Sequence, residues 1–415
     1  MIWAGFREYH EVDILEDVAE NRIRKGSGEY RRAILALFFG SLTAFGTEYC
    51  VQPIIPMFSD TFGLQPAMAS LAVSFGIGGM AAAMLLIASF AKRLPRKKVM
   101  SLALLLSAGM AILMAVSQSF ELILALRLCQ GIVLAGFPAM AIAYVNEEFD
   151  SSITGFVIGI YVSGNSIGGL LGRLLLSFLT DIFSWRMALG ILGGIYVVIG
   201  IVFLLALPKA KHRVDRKAKI SGWKEFHRLL GNHRLIAVYG IALCIMGAFV
   251  CTYNFISYVL LAEPYGLSQT AVGFVYLLYL VGTLSSTIMG RLSDRIGNGK
   301  VVVISVLCML AGILISLGMP LFLKIAGIGI FTYGFFGAHS AACSWAGKLD
   351  AGDKARIASL YMFFYYIGGS FIGSFGGNFL TAFGWAGIVG FLGMILLLTL
   401  AAGIMLLRSL ENRKV

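Results

Sequence analysis

Long apolar runs alternate with short polar connectors along almost the whole chain. The runs lie near 33–56, 68–91, 99–117, 121–144, 154–180, 187–207, 235–261, 270–290, 301–319, 325–347, 357–381 and 387–407. A helix needs about 20 apolar residues to cross a hydrocarbon core, so the pattern predicts twelve membrane-spanning helices. The polar stretches between the runs set the expected organisation. A tail covers 1–32, a first six-helix bundle 33–207, a basic connector 208–234, a second six-helix bundle 235–407 and a final tail 408–415.

Composition turns this pattern into a fold class. Apolar residues make up 59% of the 415 and charged residues 13%, against about 25% charged in soluble proteins. No soluble core of this size hides that much apolar surface, so most of it must face lipid or other membrane helices. An all-α membrane protein follows, with membrane lipid as its solvent. Disorder, collagen-like structure and disulfide-rich secreted folds are excluded by the same figures.

The net charge of +12 raises the question of nucleic acid, and its distribution answers it. With both termini on one side, 29 of the 33 Lys and Arg fall in tails and connectors on that side. Arg186 and Lys324 fall on the other, while Arg127 and Arg173 lie inside spans. The positive-inside rule then places both termini in the cytoplasm, and no nucleic-acid partner is expected. All six cysteines fall within spans at spacings unsuited to zinc, so neither a metal site nor a cofactor is expected. The first thirty residues have no apolar core of a signal peptide. Val12, Leu15 and Ala19 recur at helical spacing. In the connector, Trp223, Phe226 and Leu230 share one face of a helix studded with Lys224, His227 and Arg228. That segment suits either the inner membrane surface or a tether with an apolar side.

The two halves repeat. The fifth span reads YVSGNSIGGLLGR, with Gly164, Gly168 and Gly172 four apart; the eleventh reads YYIGGSFIGSFGGN, with Gly369, Gly373 and Gly377 spaced identically. Arg173 aligns with Asn378, and Trp185 with Trp385 after a gap. Glycine at every fourth position clears a groove that lets a neighbouring helix approach closely.

Several short motifs sit where this organisation predicts connectors and span interiors. Gly290-Arg-Leu-Ser-Asp294-Arg295-Ile-Gly297, with Lys300 beyond it, resembles the loop signature of the major facilitator superfamily. The first-half counterpart is degenerate, with Lys92 at the acidic position, Pro95 at the second glycine, and Arg93, Arg96 and Lys97 retained. Arg127-Leu-Cys-Gln130-Gly131 is similar to the superfamily's R-x-x-Q-G motif. Gly164-Asn165-Ser-Ile-Gly168-Gly169 resembles its antiporter signature, with Asn165 in place of proline. Tyr49-Cys-Val-Gln52-Pro53, SGNSIGG, Gly337-Ala-His339-Ser340 and Tyr365-Tyr366 look like the YnfM-type branch of bacterial efflux permeases. The resemblance implies two pseudo-symmetric six-helix bundles around a midplane cavity, a bacterial cytoplasmic membrane, and a monomer. It also implies that Asp294 faces the positive N-terminus of the fifth span as a latch. Gly290, Asp294, Arg295, Gly297, Arg93 and Arg173 are therefore the gating candidates; for Arg173, packing and an outer-gate contact both stay open.

Four ionisable residues lie well inside spans: Glu48, Arg127, Arg173 and His339. An unpaired charge there costs at least roughly 2.5–3.5 kcal/mol, which makes each a functional-site candidate. Glu48 is the only acid deep within a span. Burial opposes its charge and a nearby guanidinium supports it, an opposition that a proton carrier needs. Glu48, Arg127 and His339 are the proton-coupling candidates. Glu48 as a fixed partner of Arg127, and His339 as a hydrogen-bonded neutral ring, are the plainer alternatives. Tyr49, Gln52, Asn165, Tyr253, Asn254, His339, Ser340, Tyr361 and Tyr365 supply rings and polar groups suited to an amphiphilic organic ligand. Interfacial anchoring is the alternative for Tyr258 and Trp345, and core packing for Met80 and Met84. No HExxH, P-loop or intramembrane aspartate pair is present, so enzymatic chemistry is not expected and an ion gradient is the expected energy source. The expectation is export of a small organic compound against protons. Proton-driven import of a sugar or organic acid is the second reading, and a membrane sensor without flux the third.

Overall fold

A computed structural model describes residues 22–90, 93–210, 223–350 and 354–411. The tail periodicity at Val12, Leu15 and Ala19, Lys92, and most of the basic connector lie outside the described residues. Among the described residues, eleven helices are long and apolar enough to cross a membrane: Gly28–Phe62, Pro66–Met84, Arg96–Val116, Phe120–Glu148, Thr154–Ile182, Trp185–Ala206, His233–Leu261, Gln269–Ile296, Asn298–Ile315, Leu321–Leu349 and Arg356–Ser409. The last covers two crossings. Gly384 (φ 61°, ψ −152°) breaks it, and the rings of Phe379 and Phe391 stack 4.5 Å apart on either side of the reversal. Counted so, twelve spans cross, and the eleventh and twelfth meet at one glycine instead of the expected connector.

Local chemistry explains the boundaries. Ser27, Ser119, Ser184 and Ser268 each accept a hydrogen bond from the backbone N–H three residues on, which satisfies one of the four free donors at a helix start. The first span continues to Phe62, past the predicted end at 56. Pro53 and Pro56 lack the N–H that an unbroken helix needs, so the chain passes through one 3₁₀ turn at Gln52–Ile54 before resuming at Ile55–Phe62. Gly297 (φ 92°, ψ 147°) joins the eighth span to the ninth in a conformation that only glycine adopts readily. That accounts for the last glycine of the loop signature.

Burial is inverted relative to a soluble protein. Large apolar side chains such as Leu205, Phe371 and Met405 are exposed on the outside, where lipid takes the place of water. Inside each half, helices cross at small residues. Gly168 and Gly172 of the fifth span lie against backbone atoms of Leu42 and Gly46 on the first. The second-half stripe does not repeat this. Gly369 and Gly373 face the side chains of Met246 and Val250, while the closest backbone approach to the seventh span is made by Gly368 at Leu243. Gly377 faces Ala67 of the second span, in the other half. The repeat is thus real in sequence but shifted by one residue in its tightest contact.

Two other expectations change. Lys324 was expected in a connector; it lies on the tenth span and is buried. In the helix Trp223–Leu230, Phe226 and Leu229 are buried, whereas Leu230 is exposed. The packed face is therefore turned by one residue from the predicted one.

For reference, the end of the molecule that carries the 208–234 connector is called the linker end, and the opposite one the far end.

Candidate functional site

Glu48 and Arg127 meet as expected. The guanidinium of Arg127, on the fourth span, is completely buried and lies 3.6 Å from Oε1 of Glu48 on the first. Its donors, however, are taken by other atoms. Nε donates to the carbonyl of Ala72 at 2.7 Å, Nη1 to Thr47 O at 3.4 Å and to the Gln130 side chain, and Nη2 to the backbone carbonyl of Glu48 at 2.6 Å. Gln130 in turn donates to Ser107 O at 2.7 Å. The R-x-x-Q-G motif thus builds a socket in which carbonyls of the first and second spans hold the arginine. Both carboxylate oxygens of Glu48 are left buried without a hydrogen bond. Gly76 makes the room, since a Cβ there would collide with Arg127 Nη2 and Glu48 Oε1.

Arg173 has a different environment. Nε donates to Gln52 Oε1 at 2.9 Å and Nη1 to Gly169 O at 2.6 Å. Its guanidinium carbon stands 4.6 Å from the ring centre of Tyr49, 5.1 Å from Tyr276 and 4.8 Å from Tyr279. Tyr276 and Tyr279 belong to the eighth span, so this arginine joins the two halves through cation–π contacts. Gln52 extends the connection by donating to Asn254 Oδ1 at 2.8 Å, and Asn254 donates to Gly373 O at 3.1 Å. Tyr49, Gln52 and Asn254, expected to touch a ligand, therefore sit in a buried layer that ties spans one, five, seven and eleven together. Arg173 is in that layer as a contact between the halves.

Beyond this layer the halves stay bonded toward the far end. Asp181, at the end of the fifth span, accepts from the backbone N–H groups of Gln269 (2.9 Å) and Thr270 (2.7 Å) at the start of the eighth. Gln269 donates to Pro53 O at 2.7 Å, and the Tyr258 hydroxyl contacts Ser59 Oγ at 2.6 Å and donates to Ile55 O at 3.3 Å. Ser74 and Ser370 exchange bonds with each other's backbone carbonyls, and Ser74 also meets Ser374. Tyr258 is accordingly a seam residue, and Trp345 is buried, so neither serves simply as an interfacial anchor.

In the second half His339 is partly buried. Its Nδ1 lies 3.1 Å from the Tyr361 hydroxyl, which is also 3.2 Å from the His339 carbonyl. Its ring stands 4.6 Å from that of Tyr365 and stacks on Phe335 at 6.2 Å. His339, Tyr361 and Tyr365 thus form one cluster, and no hydrogen bond joins it to Glu48 among the described residues. Tyr366, next to it, is buried, with its ring 5.2 Å from that of Tyr365. Tyr253 is buried and hydrogen-bonds Thr332 at 2.8 Å, and Asn165 and Ser340 are half-buried. At the linker end, Asp294 and Arg295 are exposed. No hydrogen bond or ion pair ties Asp294 to the fifth span among the described residues. A Cβ at Gly290 would meet Ser340 Oγ at 3.9 Å, and Arg93 is half-buried.

Four contributors were not singled out from sequence: Tyr276, Tyr279, Asp181 and Glu147. The first two recur three residues apart near the start of a span, a spacing that places both rings on one face. Glu147 pairs with buried Arg96 through two hydrogen bonds, of 2.7 and 3.1 Å; nothing in the local pattern of either residue points to the other.

Twelve spans in two repeated halves, bonded across a buried polar layer that closes one end, define a membrane transporter of the two-bundle type. The sequence profile of the Major Facilitator Superfamily matches residues 37–345 and 238–414, and the chain belongs to that family. It is 37% identical over 390 residues to the inner membrane transport protein YnfM of Escherichia coli (strain K12), covering 94% of each chain. It is also 37% identical over 392 residues to the MFS-type transporter YybF of Bacillus subtilis (strain 168), covering 94% of this chain and 96% of that one. Among solved structures, a bacterial homolog of the human lysosomal transporter Spinster superposes with a TM-score of 0.77 at 16% identity, over 92% of this chain and 98% of that one. The expected family and fold are both found.

Proposed function

We propose that the protein is a proton-coupled antiporter that exports a small organic compound across a bacterial inner membrane, with the linker end and both termini in the cytoplasm. The halves 33–207 and 235–407 would rock about the layer of Gln52, Arg173 and Asn254. In the conformation described, the far end is the closed one. His339, Tyr361 and Tyr365 would contact the compound, with Asn165, Tyr253 and Ser340 around them. The latch of Asp294 on the start of the fifth span would form when the linker end closes.

One observation carries the coupling: the Glu48 carboxylate is fully buried, and neither oxygen accepts a hydrogen bond. A structural ion pair normally satisfies the acid as well as the base. Here Arg127 is held by backbone carbonyls whether or not Glu48 is charged, so the acid is free to gain and lose a proton without dismantling the socket. Protonation removes the charge facing Arg127, and deprotonation restores it. Each state can then favour a different packing of the second span on the eleventh.

The test is transport by purified protein in proteoliposomes under an imposed pH gradient, with a panel of dyes and metabolites supplying the ligand. Glu48→Gln, which keeps the shape and mimics the protonated acid, is expected to abolish gradient-driven movement while the protein stays folded. Full retention of gradient dependence would refute the assignment.

A further inference from the structure

A cavity opens at the far end, beside the seam residue Tyr258. Its volume is about 560 Å³, and its walls include Val259, Leu317, Leu380, Trp385, Tyr258 and Lys324. That size and apolar character are those of a small-molecule site.

Lys324 is the anomaly in it. The residue is 3% exposed, yet its ammonium makes a single hydrogen bond, to Ser316 O at 2.8 Å. The rings of Tyr265 and Trp385 flank it, with centres 5.7 and 5.6 Å from Nζ. The Trp385 indole is itself fixed by Ser316 Oγ at 3.0 Å. No carboxylate pairs with Lys324 among the described residues. Glu263 also borders the cavity but is exposed. An ammonium has three donors, and burying it without a counter-ion is costly. Aromatic faces offset only part of that cost.

We infer that this cavity is a binding site for an amphiphilic organic monoanion, whose charged head pairs with Lys324 and whose hydrocarbon or aromatic body lies against Trp385, Leu380 and Leu317. Glu263 at the border disfavours a second negative charge on the ligand. The shared chemistry, an anionic head on an apolar body, belongs both to a soluble aromatic carboxylate and to an anionic lipid at the membrane surface. The site is separate from Glu48, and its existence does not depend on the coupling proposed there.

The experiment uses the full chain in nanodiscs of phosphatidylcholine, with 1-naphthoate as the probe and the neutral 1-naphthamide as control; thermal unfolding reports binding. Naphthoate is expected to raise the transition temperature saturably and the amide to do so at least tenfold less potently. Lys324→Met should remove the difference and Lys324→Arg keep it. Leu380→Trp, which fills the cavity and leaves the ammonium in place, should also block binding. A parallel set in phosphatidylglycerol nanodiscs separates the sources. Stabilisation by that lipid, lost in Lys324→Met and competing with naphthoate, assigns the site to a headgroup; undiminished naphthoate binding assigns it to a soluble anion. Absence of any shift with either anion, or equal shifts in wild type and Lys324→Met, overturns the inference.

Discussion

Asp181 and Asp294 occupy equivalent places at opposite ends of the molecule, yet only one is engaged. Asp181 ends the fifth span and accepts two backbone N–H groups at the start of the eighth. Asp294, near the end of the eighth span, is exposed, and among the described residues it makes no such bond to the start of the fifth. A carboxylate is stabilised at a helix N-terminus by the free donors and the positive end of the dipole. The same chemistry is thus available at both ends, but this conformation uses it at the far end alone. The far end therefore pairs a carboxylate with a helix start and the linker end does not; in the proposed cycle, spans five and eight would be bonded at their two ends in turn.

The largest way to break this comparison is to fix one end. Ser74 and Ser374 touch across the halves through their hydroxyls, which places cysteines at those positions for a disulfide. Ser74→Cys/Ser374→Cys, in a background without native cysteines, is expected to lose all transport on oxidation and regain it with reductant. A flux assay before and after reduction checks this. Asp181→Asn weakens the engaged end only. Loss of about 1 kcal/mol of charge–dipole and hydrogen-bond energy should shift the population toward far-end opening roughly fivefold. Spin labels at Asp60 and Glu263, exposed on either side of the seam, would report it as a longer distance by pulsed electron resonance. Asp294→Asn should have the smallest effect on the conformation described. No bond is lost there, so stability in detergent is expected to change by less than about 0.5 kcal/mol, while turnover falls because the alternate closure lacks its carboxylate.

Much of the fold was legible because hydropathy reports the environment along a single helix. The twelve spans follow from where apolar runs lie, and Glu48 and Arg127 stand out as the charges that interrupt them. Pairing between helices is another matter. Arg173 was visible as a buried cation, but its partners Tyr276 and Tyr279 lie about a hundred residues away and look like ordinary span aromatics. Lys324 read as a connector residue because it begins its span, and only the fold encloses it. The glycine stripe of the eleventh span was legible, but its contact register was not. A four-residue repeat fixes one face of a helix, and the side chains of Met246 and Val250 decide which neighbouring glycine takes the closest approach.

Gly384 reverses the chain in a single step, and Trp385 follows it immediately to bond Ser316. Insertion of even one residue after Trp385 would rotate the final helix by about 100° relative to its neighbour, swinging its lipid-facing side chains toward protein. Epitope tags and reporter loops placed at this corner should therefore fail, even though the site sits at the surface between two crossings where a tolerant loop would ordinarily be sought.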